Sequence, residues 1–401
     1  MQRSEQVRLI KELLASMDSG TTVDAGGLRR NPTAVYTDPE LAEREWQTLF
    51  RGHPQLIGLS ADLPGPGSFL TVDDLGTPIL ATRGTDGEFR AFVNACRHRG
   101  AVLETRERGE ARSFRCPFHA WTYSGDGRLT GLPKPDHFGD LCRDNLGLLA
   151  LPAIEHHGML WVHPDPAGTI DPQALLGAEL DGEMESWRLD ELVYLDRDTY
   201  DVACNWKLAM DTFGETYHFP TLHRDTINVF FHGNVQAYDT FGRNHRMLLV
   251  RREIDAMRER PEDQWSITEA TLPAYWLFPN VQLLPFTDGV YLVRAYPVPG
   301  QPGRHRSHIS FYLRPDVSRS ADLDQIEGHI GQRTLAGAFA AIIRDEDYVM
   351  SASQQITASS GALGYSLFGR NEPALHHYHL TYREALGMEP LPLLSEVEAV
   401  R

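Results

Sequence analysis

The chain has few cysteines, no long apolar run and no secretory leader. Four cysteines in 401 residues are too few for a disulfide framework. The longest nearly apolar stretches, around residues 146–154 and 335–343, are about half the length that a membrane-spanning helix needs. Residues 4–16 mix charged with apolar side chains, unlike the apolar centre of a signal peptide. These absences predict a cytoplasmic protein that makes no use of a membrane.

Basic residues are also in deficit, and the formal net charge is −17. Such a charge argues against nucleic acid as a partner. The excess of acid lies outside residues 51–166, where the two signs are nearly balanced. Either a docking surface for an acidic partner protein or a solvated basic face would explain a cluster of arginines in this segment. Its members are Arg97, Arg99, Arg106, Arg108, Arg112 and Arg115.

The length suggests two or three domains, and the residue pattern changes twice along the chain. Apolar residues at helical spacing predict helices near residues 7–17 and 39–50. Short β-like runs separated by Gly, Pro and Asp then extend from about residue 53 to 164, and a Pro-, Gly- and acid-rich passage follows at 165–182. We therefore predict a helical N-terminal segment, a small β domain and a larger domain, over residues 1–50, 51–166 and 167–401.

The larger domain shows signals for both strands and helices. Residues 281–286 and 290–298 flank the turn Thr287-Asp288-Gly289 and predict a β-hairpin. Residues 308–313 would add a third strand, and residues 323–358 have helical texture. The whole chain is therefore predicted to be an α+β protein.

A first metal motif consists of two short pairs of ligand-type residues. Cys96 and His98 form a C-x-H pair, and Cys116 and His119 form a C-x-x-H pair. Two thiolates and two imidazoles on adjacent loops suit a tetrahedral zinc ion. They suit equally a [2Fe–2S] cluster with the cysteines on one iron and the histidines on the other. The spacing alone leaves both possibilities open.

A second motif lies in residues 205–223, NWKLAMDTFGETYHFPTLH. If this stretch is helical, Glu215 and His218 share one face, because residues three apart are neighbours on a helix. Pro220 should interrupt the helix and leave His223 free to turn back toward His218. Two imidazoles and an oxygen ligand from elsewhere would hold a divalent metal such as iron. The alternative is a buried helix end with hydrogen-bonded histidines.

The context of the first motif supplies a resemblance. The stretches CRHRG and CPFHAWTYSGDG closely resemble the Rieske iron–sulfur signature. A Rieske motif ahead of E-x-x-H-x-x-x-x-H resembles the α subunit of the Rieske non-haem iron oxygenases, the aromatic-ring-hydroxylating dioxygenase family. This resemblance implies a small antiparallel β Rieske domain inserted before a catalytic α/β domain with a large antiparallel sheet and helices, of the helix-grip, START-like kind.

The resemblance also implies roles for individual residues. His218 and His223 would bind a mononuclear Fe(II), and the third ligand would be Asp347 in RDEDYVMSASQQ, with Asp345 and Glu346 as close competitors. Glu215 would connect His218 to His119 of a neighbouring subunit and carry electrons or protons between the two metal sites. Many members have Asp where Glu215 stands, and an asparagine is common at the place of Asp211, which we also expect to serve catalysis.

Cofactors, partners and reaction follow from the same resemblance. Electrons from NAD(P)H would arrive through a separate reductase, with or without a ferredoxin, since no G-x-G-x-x-G fingerprint occurs. The protein would be a homotrimer, with or without a β subunit. With O2 it would cis-dihydroxylate or monohydroxylate an aromatic or other hydrophobic substrate. Oxidative N- or O-demethylation of a non-arene such as a quaternary amine is the alternative, because some members of that kind carry Glu at this place.

Two readings from other classes are a Rieske electron-transfer protein without oxygenase activity and a binding module stabilised by zinc. Neither uses both motifs at once. For an oxygenase, apolar and aromatic side chains should form the substrate pocket. We predict Phe213, Phe219, Phe230, Leu283 and Arg294 as pocket residues. Arg294 would pair with a carboxylated substrate or, alternatively, serve as a structural ion-pair partner.

Overall fold

The computed structural model describes residues 1–140, 142–320 and 332–394. The chain divides into two compact units. One unit comprises residues 47–171 and 188–193, and the other comprises residues 1–46, 172–187 and 194–401. No helix in the described part of the chain is both long and apolar enough to cross a membrane.

The smaller unit consists of short antiparallel strands in one five-stranded and two three-stranded sheets. Alternating small and aromatic residues between Gly and Asp turns favour such strands. In chain order the strands are Gln55–Leu59, Ser68–Val72, Ile79–Arg83, Phe89–Val93, Arg108–Glu110, Ser113–Arg115, Thr122–Ser124, Leu129–Gly131, Ala150–Leu151, Ala153–His156 and Met159–Val162. Both cysteines of the first motif belong to the buried core of this unit, beside Trp121 and Tyr123.

The larger unit is built on a seven-stranded antiparallel sheet. Its strands, in spatial order, are Val193–Val202, Gln301–Leu313, Gly289–Val298, Val281–Phe286, Thr271–Leu277, Asn244–Arg251 and Phe231–Phe241. A separate two-stranded ribbon pairs Arg29–Pro32 with Tyr365–Phe368. The predicted hairpin is confirmed, with Phe286 opposite Gly289 at its turn. The predicted third strand is present and begins earlier than expected, at Gln301.

The described α-helices all lie in the larger unit. The α-helices are Arg3–Ser19, Pro39–Glu45, Pro172–Leu176, Ala178–Ser186, Trp206–Asp211, Ile267–Ala270, Pro315–Ser320, Gln332–Ile342, Tyr348–Ser360 and Pro373–Ala385. Two π-helical stretches are Trp46–Arg51 and Ile343–Asp347. The 3-10 turns are Thr33–Tyr36, Ser60–Asp62, Pro135–Phe138, Arg143–Leu146, Leu189–Glu191, Ile227–Val229, Arg252–Glu259 and Glu262–Gln264. The predicted α+β class, a small β domain followed by a domain with a large antiparallel sheet and helices, is confirmed.

Three helical segments cover one face of the large sheet. Ala209, Ile343 and Tyr348 from these segments share a buried cluster with sheet residues such as Leu284 and Val293. Burial of these apolar side chains holds the segments against the sheet, since a fully buried Ile, Leu or Val side chain contributes about 1.5–3 kcal/mol. Of the predicted helical region 323–358, residues 323–331 lie outside the described residues, and the remainder is helical.

The helix considered for the stretch before Pro220 is present only at its start, over Trp206–Asp211, and does not extend to Glu215 and His218. Asn205 caps the helix by accepting from the amide of Lys207 at 3.0 Å, and the helix ends at Asp211. Gly214 lies so close to Leu375 that a Cβ would be 2.5 Å from Leu375 Cδ2. The carboxylate of Glu215 then accepts from nearby backbone amides, which replaces the helical hydrogen bonds by turns.

Candidate metal centres and active-site cleft

Two loops with the same backbone pattern carry the first motif. The amide of Cys96 donates to Ala101 O at 2.8 Å, and the amide of Cys116 donates to Trp121 O at 2.8 Å. In each loop the residue four positions after the cysteine also donates back to the cysteine carbonyl. That residue has a positive φ in both loops, +72° at Gly100 and +60° at Ala120. The two loops therefore hold their cysteines in equivalent backbone turns, while the histidine follows by two residues in the first loop and by three in the second.

The loops bring the two histidines together. The ring centroids of His98 and His119 are 4.6 Å apart, and His98 stacks on Trp121 at 5.1 Å. Both cysteines are free thiols and buried. Tyr123 lies with its hydroxyl 3.4 Å from Cys96 Sγ and accepts from the amide of Arg97 at 3.0 Å.

The donor set fits an iron–sulfur cluster. His98 Nδ1 is buried and has no hydrogen-bond partner among the described residues, as expected of a nitrogen that serves as a metal ligand. Burial by itself would raise the pKa of the Cys116 thiol, but the backbone amides of His119 and Phe118 lower it below the ordinary value. A thiolate is the form that binds iron.

The second motif meets a residue from far along the chain. His223 Nε2 is 3.2 Å and His218 Nε2 is 3.6 Å from the same atom, Asp347 Oδ1. The ligand atoms of these three residues all lie within 4.8 Å of one another. His223 and Asp347 are buried, with 1% and 5% of their surface exposed. Two imidazoles and one carboxylate on one side of a point form the facial arrangement that suits non-haem iron.

The outer nitrogens of both histidines have carboxylate partners. His218 Nδ1 contacts Glu215 Oε1, and His223 Nδ1 is 2.6 Å from Glu346 Oε2. Such partners fix the ring orientation and leave Nε2 available for a metal. Burial would lower the pKa of His223, but Asp347 and Glu346 raise it above the ordinary value. The negative charge collected here is what a divalent cation would balance, so this donor set also fits its metal.

The π-helical turn Ile343–Asp347 separates three consecutive acids. Asp345 points outward and pairs with Arg344 at 2.6 Å. Glu346 accepts from His223 and from Thr226 Oγ1, the latter at 2.9 Å. Only Asp347 reaches the inner nitrogens of both histidines. A π-turn inserts one residue into the helical repeat, which changes the faces on which these carboxylates emerge.

Asp211 lies in a buried network next to this centre. Its two carboxylate oxygens accept hydrogen bonds, one from the Tyr36 hydroxyl at 2.8 Å and one from His379 Nε2 at 2.9 Å. Asn31 donates to the same tyrosine hydroxyl at 2.9 Å. Burial and the nearby Asp211 carboxylate raise the pKa of Tyr36 well above its ordinary value, so its hydroxyl keeps the proton and donates.

A cleft of about 550 Å³ opens onto the centre. His218 and Asp347 line it, so a metal held by them would be reachable from the cleft. The lining includes four carboxylates and no lysine or arginine. The carboxylates belong to Asp211, Glu215, Asp347 and Glu372.

None of the five predicted pocket residues lines this cleft. Phe219 is buried and Phe213 half-buried in the cluster between sheet and helices, whereas Phe230 is 58% exposed. Leu283 and Arg294 are buried in the sheet, and Arg294 donates to Ser310 Oγ at 3.2 Å.

Several residues around the centre are not indicated by any pattern in the sequence. Tyr36, His379 and Glu372 reach the cleft or its network from segments distant in sequence from the histidine motif. Only the run of histidines at 376–379 gave a local signal, and nothing in its pattern indicates Asp211 as a partner. The sequence leaves Glu346 open as a metal ligand, whereas in the structure it contacts the outer nitrogen of His223.

The fold and the two centres define an iron–sulfur protein with a second, mononuclear metal site. A family model described as "Rieske [2Fe-2S] domain" matches residues 53–150. A second model, "Ring hydroxylating alpha subunit (catalytic domain)", matches residues 189–388. The chain therefore belongs to the ring-hydroxylating α-subunit family of Rieske oxygenases, whose cofactors are a [2Fe–2S] cluster and a mononuclear iron.

Curated relatives include both reaction types of this family. The anthranilate 1,2-dioxygenase large subunit of Acinetobacter baylyi is 32% identical over 214 residues, 51% of this chain and 45% of that subunit. The carnitine monooxygenase oxygenase subunit of Acinetobacter baumannii is 24% identical over 297 residues, 74% of this chain and 79% of the relative. The match thus spans about half the length of relatives such as the first.

Solved structures share the fold. The quaternary ammonium Rieske monooxygenase CntA with L-carnitine superposes with a TM-score of 0.74 at 19% identity, covering 91% of this chain and 97% of that one. Naphthalene 1,2-dioxygenase with indole superposes with a TM-score of 0.70 at 16% identity, covering 92% and 94%. Another structure of a quaternary ammonium Rieske monooxygenase is described as revealing inter-subunit electron transfer.

Proposed function

We propose that this protein is the terminal oxygenase of a multicomponent system, which uses O2 and NAD(P)H-derived electrons to hydroxylate a small organic substrate. The observation that carries the proposal is the convergence of His218, His223 and Asp347 beside an open cleft, in a chain that also has a Rieske domain. Three ligands on one side leave positions for O2 and substrate. In this proposal residues 51–166 are the Rieske domain and residues 167–401 the catalytic domain.

Four side chains would hold the cluster, namely Cys96, His98, Cys116 and His119. Their histidine ligation supplies a higher reduction potential than four thiolates would, which suits electron acceptance from a reductase or ferredoxin. His119 is exposed within its own chain, so the bridging carboxylate of a neighbouring copy can reach it. Because the donor is an NAD(P)H-dependent reductase, a cytoplasmic location is part of the proposal.

The arginine cluster contributes unevenly to docking of such a donor. Arg106 and Arg108 already pair with Glu104 and Asp62, at 2.6 and 3.0 Å. The remaining four arginines are exposed, and they are the ones that an acidic redox protein could bind: Arg97, Arg99, Arg112 and Arg115.

Glu215 would connect the two centres across a subunit boundary in a homotrimer, with or without a β subunit. Its carboxylate accepts from His218 Nδ1 and from the amides of Tyr217 and His218. These contacts hold it at the edge of the cleft, where His119 of a neighbouring copy could donate to it. The imidazoles and this carboxylate would then form one short path between the metals.

The experiment measures reduction of the cluster and then the products of turnover. Purified protein, reduced chemically, should give the rhombic paramagnetic signal of a histidine-ligated two-iron cluster. With a surrogate reductase and NADH, a panel of aromatic acids and quaternary amines should then reveal substrate-dependent NADH and O2 use. A protein with both metals bound that couples no substrate to O2 use would leave the electron-transfer alternative as the function.

A second candidate reaction is oxidative demethylation or monooxygenation of a cationic amine. The observation that favours it is the cleft itself, whose four carboxylates face no lysine or arginine. Acidic walls would attract a cationic substrate and repel a carboxylated one. Products separate the two reactions, because demethylation releases formaldehyde, whereas ring dihydroxylation yields a diol.

A further inference from the structure

One strand of the large sheet carries two arginines with contrasting surroundings. Arg246 and Arg251 are five residues apart on the strand Asn244–Arg251, so their side chains emerge on opposite faces of the sheet. Arg246 forms ion pairs with three carboxylates, which belong to Glu5, Glu183 and Asp239. In the described part of the chain, Arg251 forms no ion pair with any carboxylate. Since a guanidinium withdrawn from water is normally paired, Arg251 is the exception that needs an explanation.

The guanidinium of Arg251 is held by two contacts. Phe231 lies directly opposite Arg251 on the neighbouring strand, and its ring centroid is 5.1 Å from Arg251 Cζ. Arg251 Nε donates to Thr271 O at 3.3 Å. Among the described residues, no acceptor bonds the two terminal nitrogens, which carry four of the five N–H groups. Burial lowers the pKa of Arg251, and more distant acids such as Glu253 offset only part of that shift.

Arg251 lines a cavity of about 400 Å³ beside the turn of the hairpin. Met257 and Phe286 give this Arg251 cavity apolar walls. Arg260 also lines it, but Arg260 is already paired with Glu269 at 2.6 Å. A guanidinium can bind both oxygens of a carboxylate at once through its parallel N–H groups. The cavity therefore offers apolar surface for the body of a small molecule and one cation for its carboxylate.

A negative charge lines the same cavity. Glu253 is exposed and forms no ion pair among the residues that the structure describes. Asp288 adds a second carboxylate to the lining. A simple anion on Arg251 would be repelled by these two acids, whereas a ligand that also carries a cationic nitrogen would be attracted by them.

The Arg251 cavity is separate from the cleft at the metal centre. The two share no lining residue. The ring of Phe231 is 6.4 Å from that of Phe219, which in turn is 5.6 Å from the ring of His223. The contacts thus run from the guanidinium through two phenylalanine rings to the histidine, so a ligand on Arg251 occupies a second site.

We propose that the Arg251 cavity binds a small zwitterion with an apolar body, its carboxylate on the terminal nitrogens of Arg251 and its cationic nitrogen facing Glu253. Arg251 and Glu253 are the charges that the chain leaves unpaired in this cavity, and the ligand supplies the partner of each. The proposal goes beyond the reaction proposed above, because binding here requires neither metal nor turnover.

Calorimetric titration of the full, metal-loaded protein tests the site with three probes of equal shape. The zwitterion is 4-(aminomethyl)benzoate, 4-ethylbenzoate has the carboxylate alone, and 4-methylbenzylammonium has the cation alone. The zwitterion should saturate one site and bind more tightly than 4-ethylbenzoate. Arg251→Gln should weaken the binding of the zwitterion by about 10- to 100-fold. Arg251→Lys should recover only part of that loss, because an ammonium keeps the charge but not the planar pair of donors.

Two further variants separate the charges. Glu253→Gln should weaken the binding of the zwitterion and strengthen that of 4-ethylbenzoate. Arg252→Gln is the matched control and should change neither, because Arg252 is the next residue in the chain, is exposed and donates to Asn228 O outside the cavity. Urea midpoints show which variants keep the folded structure, and Glu253→Gln tests the site independently if Arg251→Gln is destabilised.

The outcomes that overturn the proposal are distinct from failure of the oxygenase reaction. No saturable binding to the wild type, or unchanged binding in folded Arg251→Gln, refutes the site. Binding that Asp347→Ala abolishes places the carboxylate on the metal and also refutes it. Tighter binding of 4-ethylbenzoate than of the zwitterion refutes the class of ligand. A protein that binds the zwitterion as expected but oxidises no substrate keeps this site and refutes only the proposed reaction.

Discussion

His223 and Glu346 are joined through the outer nitrogen of the imidazole, at 2.6 Å between Nδ1 and Oε2. The next residue, Asp347, lies on the opposite nitrogen at 3.2 Å. One histidine therefore separates two carboxylates that are adjacent in sequence. The inner carboxylate is placed to bind a metal together with the imidazole, and the outer one orients the ring and increases its basicity.

Removal of the inner carboxylate should remove the mononuclear iron. We expect Asp347→Ala to lose this iron and keep the cluster, because the cluster ligands lie in another domain. Iron analysis and the visible spectrum of the cluster measure the two centres separately. Glu346→Gln should retain iron with about 10- to 100-fold weaker affinity, since it loses only the orienting contact.

Asp345→Ala is the matched control, because Asp345 pairs with Arg344 on the surface and should not affect iron. Full iron content in Asp347→Ala would assign the third ligand to another carboxylate.

Glu215→Gln should separate metal binding from electron transfer. The amide keeps nearly the same shape but cannot act as the anionic acceptor for both histidines, so both metals should remain while turnover nearly disappears. Stopped-flow absorbance of the reduced cluster after mixing with O2 and substrate reports the electron transfer directly. Glu215→Asp tests the length of the side chain. Unchanged cluster oxidation in Glu215→Gln would remove the bridging role.

The sequence predicted what local spacing encodes. Cys96 with His98 and Cys116 with His119 lie on tight loops, so their neighbours in sequence are also their neighbours in space. The hairpin at Thr287 to Gly289 was predictable for the same reason. Spacing in the sequence could not identify which of Asp345, Glu346 and Asp347 faces the histidines, because a π-helical turn decides which carboxylate points inward.

Contacts between distant segments were beyond reach of the sequence. The helix considered through Glu215 ends at Asp211, and the side chain of Leu375, from a helix much later in the chain, lies where a Cβ at position 214 would be, so that only glycine fits there. Asp211 meets Tyr36 and His379 only after the sheet and helices are assembled. The prediction of apolar pocket residues rests on residue type alone, and most apolar residues of a folded protein lie in its core.

Stability should fall in mild acid because of His305. Burial lowers the pKa of this imidazole from an ordinary 6.5 to about 4. Its Nδ1 donates to Cys204 O at 2.9 Å, and its buried Nε2 has no partner among the described residues that could accept a second proton. As the pH falls, the unfolded chain binds the proton before the folded chain does. The contribution of the neutral His305 to the free energy of unfolding is therefore complete above pH 6.5 and declines as the pH falls toward 4, by up to about 1.4 kcal/mol per pH unit.

Urea unfolding at pH 7.5 and 5.5 measures this dependence, with cluster absorbance recorded in parallel. His305→Asn can keep the donation to Cys204 but does not titrate, so its loss of stability between the two pH values should be smaller. An identical pH dependence in wild type and variant would assign the effect to other buried histidines, of which His376 also has a pKa lowered to about 4.

A buried ion pair holds the start of the helix that carries Asp211. Lys207 Nζ lies 2.8 Å from both oxygens of Glu45, and neither side chain is more than 2% exposed. Trp206 Nε1 donates to the same carboxylate at 2.9 Å. Burial lowers the pKa of Lys207, and Glu45 opposes this shift. Lys207→Met should cost about 3–5 kcal/mol of unfolding free energy, because it leaves the Glu45 carboxylate buried without its cation.

The double variant Glu45→Gln with Lys207→Met should recover much of that loss, because the uncompensated charge is gone. Trp206, which donates to one oxygen of Glu45, can still donate to the amide oxygen, and the hydroxyl of Tyr382, which faces the other oxygen, can accept from the amide NH2. Arg258→Met is the surface control: Arg258 pairs with Asp18 at 2.8 Å but is 35% exposed, and such pairs contribute about 0–1 kcal/mol. Urea midpoints of five proteins complete the comparison: wild type, Lys207→Met, Glu45→Gln, the double variant and Arg258→Met. If the double variant is as unstable as the sum of its parts, the loss comes from packing around the helix and the charge pair contributes nothing.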